Sequence, residues 1–185
     1  NPSEMLANAI YKSKDFISEI TCGKIEIVGE EIMEVTCEYV EKKDKEIQEY
    51  MCQDEDNKTM KLILNFGVNT NFKEPKIVLE EACYNWINDY KTKNCKIVDD
   101  KIEKICSKLD LKQINNELKD CTSLSQDPGR YLCNYTYFLN SYALLSKEHF
   151  YCEFIHIPDI CDLSTEQGLN HVCRFLKILS EIYCD

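Results

Sequence analysis

Near the carboxyl end, Leu169, Val172, Cys173, Leu176 and Leu179 recur at three- and four-residue intervals, which puts them on one face of a helix. Ser164-Thr-Glu-Gln167 stands just ahead with the spacing of a capping box, so the start of that helix is marked as well. Residues 4–19 (EMLANAIYKSKDFISE) predict an amphipathic helix with Pro2 and Ser3 near its cap. The aromatic stretch from Tyr131 to Leu145 has helix length, and the charged stretch from Glu41 to Gln53, with sparse apolar positions, suggests an exposed helix. Between them lie shorter apolar runs. Met60 to Phe66 reads as a buried strand ending at Gly67, Ile77 to Glu80 follows a polar loop over 69–76, and Tyr151 to Ile157 is stopped by Pro158. Lys24 to Val28 alternates like a strand, and Glu31 to Val40 continues in β-favouring residues. Residues 54–59 form a polar loop, and 94–120 are polar and partly helical.

Strands thus alternate with helices along the chain, the pattern of an α/β domain with a largely parallel sheet. No internal repeat, low-complexity tract or Pro/Gly-rich linker divides it, so residues 1–185 are read as a single domain. Apolar residues make up 44% of the 185, enough for a sizeable core. No apolar run approaches the roughly 18 residues that cross a bilayer, and no signal-peptide pattern opens the chain. Thirty-three acidic against 22 basic residues leave a net charge of -11, which repels phosphate backbones and anionic lipid. Nucleic acid and membrane are therefore not expected as partners. The chain begins at Asn1-Pro-Ser without methionine, which suggests a fragment.

Twelve cysteines are unusual for this length. No pair has the spacing of a zinc knuckle, and His149, His156 and His171 form no ligand array, so no metal is expected. A secreted disulfide scaffold would be shorter and richer in loops. The sequon Asn134-Tyr-Thr adjoins Cys133, where a glycan would bury whatever that cysteine does. A reducing, cytoplasmic setting is therefore expected, with most thiols acting as small buried hydrophobes.

In α/β sheets, reactive groups gather at loops leaving strand ends, and three segments there hold polar residues that packing does not explain. A turn around Pro128-Gly129 feeds straight into the Tyr131 helix, which places Cys133 in its first turn. Unpaired N–H groups and the positive end of the helix dipole favour a thiolate there. His156 ends a buried strand, and Glu80 is an acid within the apolar run IVLEEAC. Singly, the histidine reads as a hydrogen-bonded strand-end residue and the glutamate as a solvated carboxylate. Together they are a nucleophile, a base and an orienting acid, and they become a triad only by converging in space.

Two motifs in order carry a resemblance. Asp127-Pro-Gly-Arg-Tyr-Leu-Cys133-Asn-Tyr-Thr-Tyr is similar to the D-A-G-R/T-[YF]-[LV]-C-N/D signature of the pyroglutamyl peptidase I (pyrrolidone carboxyl peptidase) family. Phe154-Ile-His156-Ile-Pro resembles that family's F-[VI]-H-[VI]-P. Upstream, Leu79-Glu80-Glu-Ala-Cys-Tyr-Asn85 resembles its L-E-R/K-x-A/G-x-N segment, Glu34-Val-Thr-Cys-Glu-Tyr39 its E-[IL]-P-V-x-[YF] strand, and Asn1-Pro-Ser3 its N-P-S/T opening. Pro128 replaces the family's alanine, and Asn65 stands where histidine is common.

The resemblance implies a three-layer α/β/α sandwich around a twisted, mostly parallel sheet, here lacking the family's first strand and so N-terminally truncated. It implies catalytic Cys133, His156 and Glu80, and substrate contacts at Tyr131 and Leu132 and, more weakly, at Val68 and Ile97. The implied activity is removal of an N-terminal pyroglutamyl residue from peptides through a thioester, with no metal or cofactor. Peptides with N-terminal pyroglutamate would be the partners, and a homo-oligomer is compatible. Two alternatives stand beside it: an inactive relative serving as a binding module, and an unrelated disulfide-stapled interaction domain.

Overall fold

The structure is a computed structural model, and it describes residues 1–34, 36–53, 59–88 and 95–184. Six helices are present among them: α1 (Pro2–Lys12), α2 (Lys14–Ile20), α3 (Cys37–Gln53), α4 (Leu111–Glu117), α5 (Leu132–Ala143) and α6 (Thr165–Tyr183). The strands are β1 (Lys61–Val68), β2 (Ile77–Glu80), β3 (Ala82–Tyr84), β4 (Lys104–Cys106), β5 (Thr122–Ser125) and β6 (Phe150–Ile157). Most of the polar loop expected over 54–59 lies outside the described residues.

The central sheet has the order β1-β6-β2-β5, and β3 pairs with β4 in a separate antiparallel ribbon. β1 runs parallel to β6 and β2 parallel to β5, but the junction of β2 with β6 is antiparallel. Successive side chains on a strand alternate between faces, so this register sorts the sheet into two sides. Leu62, Leu64, Phe66, Leu79, Ile155 and Ile157 join the larger core with residues of α1, α2, α4 and α6. Ile63, Cys152 and Phe154 face the other way and pack with Tyr137 and Phe138 of α5. Outside α5 lies α3, whose Val40 meets Tyr135. The result is an α/β/α sandwich with a mostly parallel central sheet.

Local signals set the helix ends. The capping box of α6 is formed: Ser164 Oγ accepts from Gln167 N at 3.2 Å, and Ser164 N donates to Gln167 Oε1 at 3.1 Å. The single helix expected over 4–19 is two, because at Ser13 the N–H bonds both Ala9 O and Ile10 O and the turn tightens.

Three expectations need correction. Lys24 to Val28 is not a strand: residues 25–34 have no regular structure, and Val28 is 84% exposed, since no neighbouring strand pairs with this segment among the described residues. Nor does the segment Glu31 to Val40 hold a strand among its described residues, and its resemblance to the family's E-[IL]-P-V-x-[YF] strand ends in helix. From Cys37 the chain turns helical, because Val40, Ile47 and Met51 share a helical face and bury it, which overrides the β preference of the local residues. Nor do most described thiols act as buried hydrophobes. Cys83, Cys121, Cys152 and Cys173 are buried, but Cys22, Cys95, Cys106 and Cys161 are exposed. Cys106 shows why: on β4 it alternates outward while Ile105 takes the inward position.

Candidate active site

Glu80 and His156 meet because of the antiparallel junction. Val78 lies opposite His156, so Glu80, two residues on, is its diagonal neighbour on the same face. Diagonal neighbours are about 7–8 Å apart at Cα, a gap that long side chains span. Glu80 Oε1 stands 2.7 Å from His156 Nδ1, with the glutamate fully buried and the histidine 2% exposed. An acid on Nδ1 fixes the tautomer and orientation of the ring and leaves Nε2 for another partner. The Cys133 thiol is close by, across Gly67, the residue that pairs with His156 in the sheet. Burial is the largest influence on His156 and disfavours its cation. The interactions with Cys133 and Glu80 outweigh it and raise the imidazole from the ordinary 6.5 to about 9.

Cys133 is the second residue of α5, half-buried at the amino end of the helix. Tyr131, the N-cap, makes no side-chain capping bond, and the N–H groups of a first helical turn point out along the axis toward whatever stands there. The thiol fits because β1 carries no side chain at position 67. Gly67 pairs with His156 in the parallel register, and a Cβ built on it would lie 3.1 Å from Cys133 Sγ and 2.9 Å from the Phe154 ring.

The structure brings some of the remaining candidates to this place and not others. Tyr131, the N-cap two residues before Cys133, is 53% exposed. Leu132 turns into the small cluster of Val40, Ile87 and Tyr135. Ile97 touches that cluster and also the one that includes Cys133, and its N–H donates to Asn85 Oδ1 at 2.9 Å. Val68 is not brought to the site by its side chain, because strand alternation sends it across the sheet into the larger core.

Several residues that frame the site carry no catalytic pattern in the sequence. Asn134, fully buried, accepts from Tyr84 N and donates to Tyr84 O and Trp86 O, each at 2.8 Å, which ties the start of α5 to β3. The sequon it opens is thus occupied by the fold itself. Tyr137 Oη donates to Glu80 O at 2.9 Å, linking the same helix to the strand that holds the acid. Both lie on the inner face of α5, so helical periodicity was the available signal. Asn65 donates to Cys152 Sγ at 3.3 Å and accepts from Asn140 at 3.3 Å, so it serves as a core bridge. Glu153 is a second fully buried acid: its Oε2 accepts from Ser107 Oγ at 2.7 Å, and burial pushes its carboxyl well above the ordinary carboxylate value. Phe72, from the loop after β1, places its ring 6.2 Å from the His156 imidazole.

Solved structures with this arrangement of layers decide the fold. A variant of the pyrrolidone carboxyl peptidase from the hyperthermophile Pyrococcus furiosus superposes with a TM-score of 0.70 at 20% identity, over 88% of this chain and 89% of that one. The chain has the pyrrolidone carboxyl peptidase fold. The pyrrolidone carboxyl peptidase of Fervidobacterium islandicum AW-1 matches with a TM-score of 0.63 at 18% identity, over 81% and 80% of the two chains. Pyroglutamyl peptidase I of Bacillus amyloliquefaciens gives 0.62 at 16% identity, over 75% and 74%. No family model matches the chain, and no curated protein matches it in sequence. No helix of the described residues is long and apolar enough to cross a membrane.

Proposed function

We propose that this chain is a cysteine omega-peptidase of the pyroglutamyl peptidase I type, releasing pyroglutamate from the amino end of peptides. The observation that carries the reading is the convergence of Cys133, His156 and Glu80, with the acid on Nδ1 of the imidazole and the thiol close by, inside a pyrrolidone carboxyl peptidase fold. In the first step His156 holds the thiol proton and Cys133 Sγ attacks the pyroglutamyl carbonyl carbon. The oxyanion that forms is met by first-turn N–H groups of α5. Collapse breaks the C–N bond, the proton on His156 Nε2 passes to the departing amine, and a thioester remains. Water then attacks the thioester and gives its proton to His156, which releases pyroglutamic acid and restores the thiol. Glu80 stays hydrogen-bonded to Nδ1 and offsets the imidazolium charge in both halves. These steps call on no metal or cofactor. A reducing, cytoplasmic setting suits a thiol nucleophile.

The test is release of a fluorophore from a pyroglutamyl amide. Wild-type chain is expected to turn over, and Cys133→Ala to lose activity by at least about a thousandfold while keeping its circular dichroism. Turnover retained in that variant sinks the reading. A folded wild-type chain without turnover would instead leave the binding-module alternative.

A further inference from the structure

Just ahead of α5, Arg130 lays its guanidinium on the ring of Tyr84, 3.9 Å from the centroid, and Lys104 holds its ammonium 5.6 Å from the same centroid. The register brings the second cation there, since Tyr84 and Lys104 are opposite one another in the β3–β4 ribbon. Local bonds fix both the ring and the guanidinium. Tyr84 Oη donates to Gln126 O at 2.8 Å, and Arg130 Nη1 donates to Gly129 O at 2.6 Å and to the Asp127 carboxylate. Asp127 Oδ1 also accepts from Gly129 N at 3.0 Å, which ties that acid into its own turn. The other edge of the guanidinium, Nε with Nη2, has no partner among the described residues. Lys104 forms no ion pair among them, so Asp127 offsets only one of the two cations.

A planar guanidinium stacked on an aromatic face and bonded along one side is held ready for bidentate recognition of a carboxylate along the other. In a chain of net charge -11 a free carboxylate is repelled at range, so binding one needs cations placed in this way. Arg130 stands three residues before Cys133, a separation of at most roughly 11 Å, while two extended residues of a substrate span about 7 Å before their side chains are added. A carboxylate within two residues of the scissile carbonyl therefore comes within reach. The pyroglutamyl ring is a neutral lactam and carries none, so the carboxylate belongs to the peptide that leaves. The topology agrees with this division. The sulfur lies by Gly67 of β1, and the guanidinium lies over β3, which follows β2 on the other flank of β6.

We propose that Arg130, with Lys104, forms a carboxylate subsite for the leaving peptide, so that the preferred substrates are pyroglutamyl peptides bearing a carboxylate one or two residues after the lactam. This rests on the peptidase reading above, and the experiment keeps the two apart. The carboxylate has two sources, an acidic side chain or the peptide's own carboxyl terminus. Pyroglutamyl-Glu amide is compared with pyroglutamyl-Gln amide for the first, and pyroglutamyl-Ala with pyroglutamyl-Ala amide for the second. Each comparison is a ratio of kcat/KM values, which a loss of folded enzyme leaves unchanged. In wild type at least one ratio is expected near about ten, the size of a charge-assisted hydrogen bond, and the pair that shows it names the source. That ratio should fall to about one in Arg130→Gln and stay between in Arg130→Lys, which keeps the charge without the fork. In Lys104→Gln, at an exposed position, it should fall by about twofold. Ratios near one in wild type, or a wild-type ratio unchanged in Arg130→Gln, overturn the subsite while the peptidase stands. If wild type turns over none of the four peptides, the peptidase reading fails and calorimetric titration of the same peptides decides the subsite alone. Tighter binding of the carboxylate member, lost in Arg130→Gln, then upholds it, and equal or absent binding removes it.

Discussion

A methyl group at position 67 has no room: it would meet Phe154, itself buried, at 2.9 Å and the Cys133 sulfur at 3.1 Å. The glycine is required for space, so that the thiol can reach the imidazole. Gly67→Ala is expected to cost about 1–3 kcal/mol of stability through overpacking. It should also lower turnover by about a hundredfold, the effect of displacing a reacting group by an ångström. Thermal unfolding and the fluorogenic assay on one preparation measure both, and unchanged turnover would show that the sulfur does not need this gap. The other thiols behave differently. Burial pushes the Cys83 thiol up to about 12 and the Cys152 thiol well above the ordinary value. Deeply buried sulfurs of this kind are packing groups, and alkylation should pass them by.

At the scale of elements, α5 does more than present a nucleophile. Its amino end is bonded to β3 through Asn134, its middle to β2 through Tyr137, and its last carbonyl region to Lys108, whose Nζ donates to Leu144 O and Lys147 O at 2.7 Å each. The helix is thereby fixed against β3 and against β2, the strand that holds Glu80. Asn134→Ala would leave partners at Tyr84 and Trp86 unsatisfied, with an expected loss of about 2 kcal/mol or more. Because Asn134 adjoins Cys133, turnover should fall with it. Ser164→Ala, which removes only the α6 cap, serves as the control: about 1 kcal/mol lost in urea unfolding and turnover unchanged. Equal effects of the two variants on turnover would argue that α5 is not specifically anchored. Of these elements, α6 was legible down to its cap because a capping box and a helical stripe are local patterns. α3 was only half legible, since the face it buries against α5 exists only once the chain has folded.

For the whole molecule, two buried groups give stability the same dependence on pH. His156 binds its proton more tightly in the fold, so its contribution is full below the ordinary 6.5 and is lost as pH rises through about 9. Glu153, an acid raised above its ordinary 4.5, favours the folded state progressively less as pH climbs past that value. Stability is therefore expected to fall between about pH 6 and 9, by an amount on the order of 3 kcal/mol for the histidine. Glu153→Gln, which keeps the shape of the neutral acid, should be more stable than wild type at about pH 8 and show the shallower decline. Urea unfolding across this range is the measurement, and identical slopes for the two proteins would show that Glu153 is not a buried neutral acid.

Taken alone, the sequence determined what local pattern can encode. Helical stripes and apolar runs gave the order of most elements, and the turn into the Tyr131 helix placed Cys133 in a first turn. Residue type nominated His156 and Glu80. The tertiary structure decided whether they meet, because their contact depends on β2 crossing beside β6 in an antiparallel register with Val78 opposite His156. It also decided that Val68 faces away, that residues 25–34 stay irregular and that Phe72 stands at the imidazole. Each of these is set by which segment lies alongside which, and the free energy that chooses among partners comes from surfaces distant in sequence.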